Sequence, residues 1–249
     1  MKRIIIICFL AGFFFPFLFA QNGEHVEGGC FLKRVEYNLR IFKDGYNLDS
    51  KGDVEKLFFG DFNAPVEFFY EPSFEGASGF RVARDSLKTS YTFELKYVSN
   101  YEEAQKEASD KYKSIAIPYD WVISGDIPDE IKEHNRAMRS KYREELPKLF
   151  KVETRSFSIS NQFAEKLHEK MILFIDNIKA KGVQRGVFDC YSVVFRNVVE
   201  DEVWSLYIHM PQGDALKMAD LCSQIITDAK ENQLDEAKYM SVLETFEYK

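Results

Sequence analysis

Hydrophobic and polar positions alternate most clearly in two runs of the C-terminal third of the chain, residues 188–195 and 203–209. Both runs are rich in β-branched and aromatic residues, and a polar turn at 200–202 separates them. Alternation of this kind is typical of an antiparallel β-hairpin with a buried face. In the second run, the residues predicted to share one face are Trp204, Leu206 and Ile208.

Apolar residues recur with helical spacing on both sides of this hairpin. The first helix is predicted to begin at Ser160 or Asn161, either of which can cap it, and to end at Gly182. The second is predicted to begin at Asp214 and to end near residue 231. The predicted apolar stripes are Phe163, Leu167, Met171, Phe174, Ile175 and Ile178 in the first helix, and Ala215, Met218, Ala219, Cys222, Ile225, Ile226 and Ala229 in the second.

Each apolar stripe needs a partner surface, and the buried face of the hairpin is the nearest one. Residues 148–249 are therefore predicted to form a unit in which two amphipathic helices clamp the hairpin. A strand over 150–159 is expected to enter this unit, and a last helix is expected over 234–246.

The N-terminal half is rich in short β-type runs separated by glycine, proline and polar residues. It is predicted to be a strand-rich and mostly antiparallel region, preceded by a polar stretch at 21–29 that is expected to fray. The predicted strands lie within 30–42, 66–70, 80–83 and 91–98.

Two helical segments are predicted after these strands. The first covers 100–112, and the second covers 127–146, with Pro128 at a favoured first position and Pro147 as a stop. The apolar stripe of the second helix is thin and most of its surface is charged, so we expect an exposed helix lying over a core. The stretch between the two helices, 114–119, is expected to be a short strand or extended segment.

The predicted fold class is α+β: a strand-rich antiparallel N-terminal region followed by a β-hairpin clamped by two amphipathic helices. The predicted organisation is a signal peptide at 1–20, a strand-rich α+β region at 21–147 and the helix–hairpin–helix unit at 148–249. One continuous domain after the signal peptide is equally consistent, because no repeat, low-complexity tract or flexible linker marks a boundary.

The start of the chain has the pattern of a secretory signal peptide. Lys2 and Arg3 precede an apolar run over 4–19, and cleavage is predicted after Ala20. The alternative is an uncleaved membrane anchor, but the run is shorter than the roughly 20 residues that a spanning helix needs. We therefore expect an exported soluble protein, periplasmic or extracellular, with no stable membrane insertion after cleavage.

The charge of the chain argues against two classes of partner. The net charge is −7, and loss of Lys2 and Arg3 leaves 31 basic against 40 acidic residues, or −9. No basic patch interleaved with aromatic residues stands out in the sequence. Neither nucleic acid nor an anionic membrane surface is therefore expected as a partner.

Cysteine usage argues against a disulfide-stapled scaffold, because the mature chain keeps only Cys30, Cys190 and Cys222. Cys222 falls on an apolar helical stripe and is most simply a small buried hydrophobe. A bridge between Cys190 and Cys222 is an alternative that the sequence leaves open, since it does not fix their geometry. No cysteine or histidine spacing typical of zinc is present.

The sequence contains none of the common catalytic motifs. There is no HExxH, GxSxG, SxxK, P-loop or GxGxxG pattern, and no metal or cofactor is predicted. The four histidines are predicted to be solvated or structural residues rather than metal ligands, because a metal site requires ligands that converge. They are His25, His134, His168 and His209.

One arrangement resembles the core of PD-(D/E)xK nucleases, in which carboxylates bind Mg²⁺ and a lysine stabilises developing charge. Glu94 and Lys96 lie two residues apart on a predicted strand, and Asp85 lies in the turn before it. The structural alternative, which we favour, is a solvent-facing Glu94–Lys96 pair. The residues expected to be buried on the opposite face are Phe93, Leu95 and Tyr97.

The functional expectation is a non-enzymatic exported module that binds an unknown protein or small ligand, with its oligomeric state left open. The alternative is a Mg²⁺-dependent nuclease of the kind above, using Asp85, Glu94 and Lys96, or another hydrolase. The aromatic strands 66–70 and 91–98 are expected to build a core, since aromatic side chains carry large burial energies. The chain also resembles many exported bacterial proteins of undefined activity, and that resemblance implies no reaction.

Overall fold

A computed structural model provides the fold. It describes residues 24–26, 30–36, 53–60, 64–85, 87, 89–181, 191–199 and 202–247. The predicted signal peptide and Cys190 lie outside the described residues.

The described strands form one eight-stranded sheet in which all neighbours are antiparallel, with the order β1-β2-β8-β7-β3-β4-β5-β6. Together with the helices it confirms the predicted α+β class. The strands are β1 (Glu24–Val26), β2 (Cys30–Glu36), β3 (Val66–Pro72), β4 (Ser78–Arg84), β5 (Tyr91–Val98), β6 (Val152–Ile159), β7 (Tyr191–Val199) and β8 (Glu202–His209).

Two groups of helices accompany the sheet. Three long or medium helices at the C-terminal end cover one face, and the others lie between β2 and β3 or between β5 and β6. The helices are α1 (Asp53–Phe58), α2 (Tyr101–Lys111), α3 (Tyr119–Ser124), α4 (Asp129–Glu145), α5 (Asn161–Lys181), α6 (Asp214–Lys230) and α7 (Glu236–Thr245), and a 3₁₀ turn (Leu146–Leu149) follows α4.

The predicted hairpin is present as β7 and β8, but it does not stand alone. β7 also pairs with β3, and β8 also pairs with β2. The sheet therefore takes strands from both sides of residue 147, and three pairings join them: β2 with β8, β3 with β7 and β5 with β6.

The face of the sheet under α5, α6 and α7 holds the main hydrophobic core. All the apolar residues predicted on the stripes of α5 and α6 are buried, and Leu206 and Ile208 of β8 are buried with them. The ring centroids of Phe68 and Phe195 are 5.1 Å apart, and Phe174 of α5 lies edge-on to Phe195 at 4.7 Å. The prediction that the facing stripes and the hairpin form one cluster is confirmed.

The opposite face carries a smaller apolar cluster. It is covered by α1 and the residue after it, so that Phe58 lies edge-on to Phe69 of β3 with ring centroids 5.4 Å apart. The buried members of this second cluster are Phe58, Phe59, Phe69, Ala77, Val98 and Val194.

Two expectations need correction. The stretch 21–29 is expected to fray, but residues 24–26 form β1 and pair with β2. The short helix α3 is absent from the predicted elements, because it spans less than two turns and has no clear apolar periodicity.

Helices α2, α3 and α4 belong to an insertion between two neighbouring strands. Val98 at the end of β5 pairs with Val152 at the start of β6, and the Ser99 amide donates to the Lys151 carbonyl at 3.0 Å. A hairpin turn of two residues could make the same connection. We call residues 100–150, which the sheet does not need for closure, the helical arm.

Two asparagines hold the helical arm in place. At its base, the Asn100 side chain donates to the Leu149 carbonyl at 3.0 Å and accepts from the Lys151 amide at 2.6 Å. Within the arm, the amide of buried Asn135 accepts from the Ile115 backbone N–H at 2.7 Å and donates to its carbonyl at 2.9 Å. The extended segment before α3 is thereby fixed against α4.

Substitutions at two neighbouring residues of α5 should differ in their effect on stability, because one residue is buried in the core and the other is exposed. Phe174→Ala should lower the free energy of unfolding by about 3–5 kcal/mol, because it leaves a cavity against Phe195. Leu173→Ala is the matched control, since Leu173 is 45% exposed and should change stability by much less. Urea denaturation followed by circular dichroism measures both, and equal losses would contradict the assignment of the buried face.

The sheet should still fold when the helical arm is deleted. Replacing residues 100–150 with Asn-Gly should leave a sheet that unfolds cooperatively, because Ser99 and Lys151 are already hydrogen-bonded. Stability should fall, since Tyr101 and Phe150 pack against the second cluster. The fluorescence of Trp204, the tryptophan that remains, reports the transition. Loss of a cooperative transition would mean that the arm is part of the core.

Candidate functional site

Glu94 and Lys96 of the nuclease-like arrangement lie on the face of the sheet that carries the second cluster, but Asp85 does not meet them. Asp85 is occupied within its own turn. Its carboxylate accepts from the Thr89 amide at 2.6 Å, from the Thr89 hydroxyl at 2.7 Å and from the Ser90 hydroxyl at 3.1 Å. These hydrogen bonds, the Thr89 hydroxyl first, hold the pKa of Asp85 down at about 2.

Glu94 and Lys96 do lie together, with Lys96 Nζ 3.1 Å from Glu94 Oε1. Arg81 of β4 contacts the same carboxylate, Nε to Oε2, at 2.8 Å. Burial raises the pKa of Glu94, but the hydrogen bonds and positive charges of Arg81 and Lys96 outweigh burial and lower that pKa below its ordinary value. Lys96 also donates to the Phe58 carbonyl at 2.7 Å.

Asp85 is distant from this pair. It lies opposite Ser90, since its amide donates to the Ser90 carbonyl at 3.1 Å. Ser90 precedes Glu94 by four residues along an extended strand, which amounts to roughly 13 Å. Among the residues that the structure describes, no group of three or more acidic, histidine or cysteine residues could hold a metal ion.

Glu94 belongs instead to a row of alternating charges across the sheet. Arg196 of β7, Glu67 of β3, Arg81 of β4 and Glu94 of β5 are successive register partners. Arg196 Nη1 lies 2.7 Å from Glu67 Oε2, and both side chains are almost fully buried. The row lets one face of the sheet carry charge, because each carboxylate lies beside a cation. The expectation of a solvent-facing Glu94–Lys96 pair is wrong, because the side chains of Glu94 and Lys96 are only 17% and 19% exposed.

Three histidines of the described residues are engaged separately. His134 Nε2 lies 3.3 Å from the Lys113 carbonyl, and His209 Nδ1 lies 3.1 Å from the Ser192 hydroxyl. His168 Nε2 lies 2.8 Å from the Val198 carbonyl, and burial lowers its pKa. They occupy different elements and do not converge.

Cys222 is a free thiol with no exposed surface, and burial raises its pKa far above the ordinary value. Its predicted role as a small buried hydrophobe is confirmed. A buried thiol of raised pKa is a poor nucleophile, because the thiolate is the reactive form.

A different arrangement stands out on the helical arm. Four cationic side chains of α4 recur at intervals of four, three and four residues, which places them within an arc of about 60° on a helix. They extend over about 16 Å of the helix axis, and all four are exposed. We call them the cationic stripe: Lys132, Arg136, Arg139 and Arg143.

The cationic stripe lines a cavity of about 540 Å³ between α4 and the chain on either side of α3. Asn135 and Ser140 of α4 contribute polar atoms, and the apolar wall is formed by Ile117 and Ile127. A second cavity of about 430 Å³ shares Arg139 with the first. Its other lining residues are Ser109, Tyr112, Lys113, Ser114 and Tyr142.

No carboxylate of the described residues lines either cavity, although the whole chain has 40 acidic residues and a net charge of −7. Lys132 contacts Asp129 at 3.0 Å and Lys113 contacts Asp110 at 3.6 Å, both through exposed side chains. In the described part of the chain, Arg136, Arg139 and Arg143 have no carboxylate within ion-pair distance. We call the two cavities together the cationic groove.

The cationic groove can bind anions by paired hydrogen bonds. Each arginine presents a planar fork of donors that matches a carboxylate or phosphate. Tyr112, Tyr142 and the serine hydroxyls add neutral donors next to Arg139. The described residues that line the groove include no histidine, cysteine or carboxylate, and its polar groups are arginine, lysine, tyrosine, serine and asparagine side chains.

The sequence contains a signal for this groove that the periodicity of its apolar residues does not reveal. Over all of α4 the acidic and basic residues balance, so composition hides the stripe as well. Helical periodicity among the charged positions identifies Lys132, Arg136, Arg139 and Arg143. The opposing wall could not be found this way, because only the fold brings residues 112–117 and 127 against α4.

Comparisons with protein-family models, with curated proteins and with solved structures found no match. No helix among the described residues is long and apolar enough to cross a membrane.

The hydrogen bonds around Asp85 determine a pKa that titration can measure. The pKa of its carboxyl should be about 2 rather than 3.8, so its contribution to stability is full above pH 4 and is lost as the pH falls through 2. Thr89→Val should move the pKa back towards 3.8, and Ser90→Ala should raise it less. Carboxyl titration by NMR measures these values, and a native pKa near 3.8 would contradict the hydrogen bonding described.

Proposed function

We propose that this protein is an exported, non-enzymatic binding module that holds an anionic ligand in the cationic groove of its helical arm. The observation that carries the proposal is the presence of five cationic side chains, and no carboxylate among the described residues, around two adjoining cavities of an acidic chain. Export, to the periplasm or beyond the cell, rests on the N-terminal sequence pattern.

The charge of the cationic groove is opposite to that of the chain as a whole. A net negative surface repels anions in general, whereas a concave site lined by one sign of charge concentrates the opposite ion. The low-dielectric walls of a groove also strengthen each contact relative to a flat surface. Such walls are formed by Ile117 and Ile127 in the first cavity and by Tyr112 and Tyr142 in the second.

The position of the groove supports a binding role. The helical arm is joined to the sheet at Ser99 and Lys151, which are directly hydrogen-bonded, so the sheet does not require the arm for closure. Of the residues of α4, Asn135 is buried and Ile131, Met138, Tyr142 and Glu145 are half-buried, whereas the rest, including the cationic stripe, are exposed. An insertion of this length that adds little to the core is typical of a functional segment.

The nuclease alternative has weaker support. Glu94 and Lys96 lie in the row of alternating charges, and Asp85 satisfies its carboxylate in a turn roughly 13 Å away along the strand. A two-carboxylate Mg²⁺ site needs its ligands within about 2 Å of one cation.

The proposal predicts a charge-dependent affinity. The double variant Arg136→Gln/Arg139→Gln should bind fluorescently labelled polyglutamate at least about tenfold more weakly at low salt, because a hydrogen bond to a charged group contributes about 1.5–3 kcal/mol. Fluorescence anisotropy measures the affinity. Lys141→Gln removes the same charge from the opposite side of α4 and should bind like the wild type.

Two results would contradict the proposal. One is wild-type protein that binds neither polyglutamate nor inorganic polyphosphate at low salt, or that binds them equally well in the double variant. The other is Mg²⁺-dependent cleavage of DNA or RNA that Glu94→Ala abolishes, which would favour the enzyme instead.

A further inference from the structure

We propose that the ligand of the cationic groove is an acidic amphipathic helix of a partner protein. This inference rests on the proposed function, because it requires that the groove bind anions. It specifies the class of ligand and how that ligand lies in the cationic groove.

The spacing of the cationic stripe is the first argument. Intervals of four, three and four residues give axial steps of about 6, 4.5 and 6 Å. Acidic residues at the same intervals on another helix present carboxylates with the same steps. Because the order of intervals is the same in both directions, either orientation of the partner helix brings each carboxylate opposite a cation.

The apolar wall is the second argument. Ile117 and Ile127 line the same cavity as the cations, so the ligand must offer apolar groups beside its anionic ones. Polyphosphates and acidic polysaccharides carry charge without alkyl side chains. An amphipathic helix carries both, on neighbouring faces, and helices commonly bind in grooves through such faces.

Helix α3 adds apolar surface next to this wall. It connects Ile117 to Ile127 and exposes three apolar or aromatic side chains, Tyr119, Val122 and Ile123, by 78%, 55% and 69% respectively. Exposed apolar side chains that are close together and rimmed by charge typically mark a protein-binding surface.

The shape of the site favours a rod-like ligand over a flat one. The cations line a concavity, whereas an anionic membrane presents a plane. Asp126, Asp129 and Glu130 lie at the N-terminal end of the cationic stripe, where they repel any anionic ligand that extends past Lys132.

A designed peptide tests the inference on the intact protein. An alanine-based helix of about 18 residues spans the groove, with glutamates at intervals of four, three and four residues and leucines on the adjacent face. One control peptide has the same composition in scrambled order. A second control peptide has serine in place of each leucine. Because this change is made in the peptide, it leaves the folding of the protein unaffected.

The periodic peptide should bind at least about tenfold more tightly than the scrambled peptide, and the serine peptide should lose most of that gain. Arg136→Gln/Arg139→Gln should weaken the periodic peptide, whereas Lys141→Gln should not. Binding of the periodic peptide should also persist at a salt concentration that releases polyglutamate, because part of its affinity is apolar.

Equal affinity for the periodic and scrambled peptides would overturn this inference while leaving the proposed function intact, provided that polyglutamate still binds. Tighter binding to a single-stranded oligonucleotide, to inorganic polyphosphate or to vesicles containing phosphatidylglycerol would also overturn it, and would identify the class of ligand. Failure of every polyanion to bind would instead remove the proposed function.

Discussion

The pairing of β3 with β7 is the constraint on which the rest of the structure depends. One register places Phe68 against Phe195 in the main core and Glu67 beside Arg196 on the opposite face. A slip by one residue would put the charges into the aromatic core and the aromatic rings onto the charged face. The same pairing joins β1, β2, β8 and β7 to β3, β4, β5 and β6 in one sheet.

The sheet in turn determines what the helical arm can do. Because Val98 and Val152 are register partners, closure of the sheet is complete without residues 100–150. The sheet therefore does not require apolar residues from α4, and the exposed surface of this helix can carry the cationic stripe. The asparagines at 100 and 135 hold the arm by hydrogen bonds to the backbone, which need little apolar burial.

The nuclease-like arrangement shows that residues close together in a sequence pattern can lie apart in the fold. Alternation correctly placed Glu94 and Lys96 on one face of β5, but it did not show where Asp85 lies relative to them. Asp85 is close to them in sequence and lies on the neighbouring strand connection, yet the extended backbone separates it from Glu94. Arg81 of the neighbouring strand forms an ion pair with Glu94, and this ion pair depends on the register of β4 and β5.

The sequence by itself determined the elements that bury an apolar face, including the hairpin and the stripes of α5 and α6, because burial imposes a period on the residues that carry it. It also contained the cationic stripe of α4 as a helical period in charge. The tertiary structure alone decided the order of the strands, the row of alternating charges and the cationic groove. These features depend on contacts between distant segments, such as Glu67 with Arg196 and Ile115 with Asn135, and local periodicity carries no information about which segments meet.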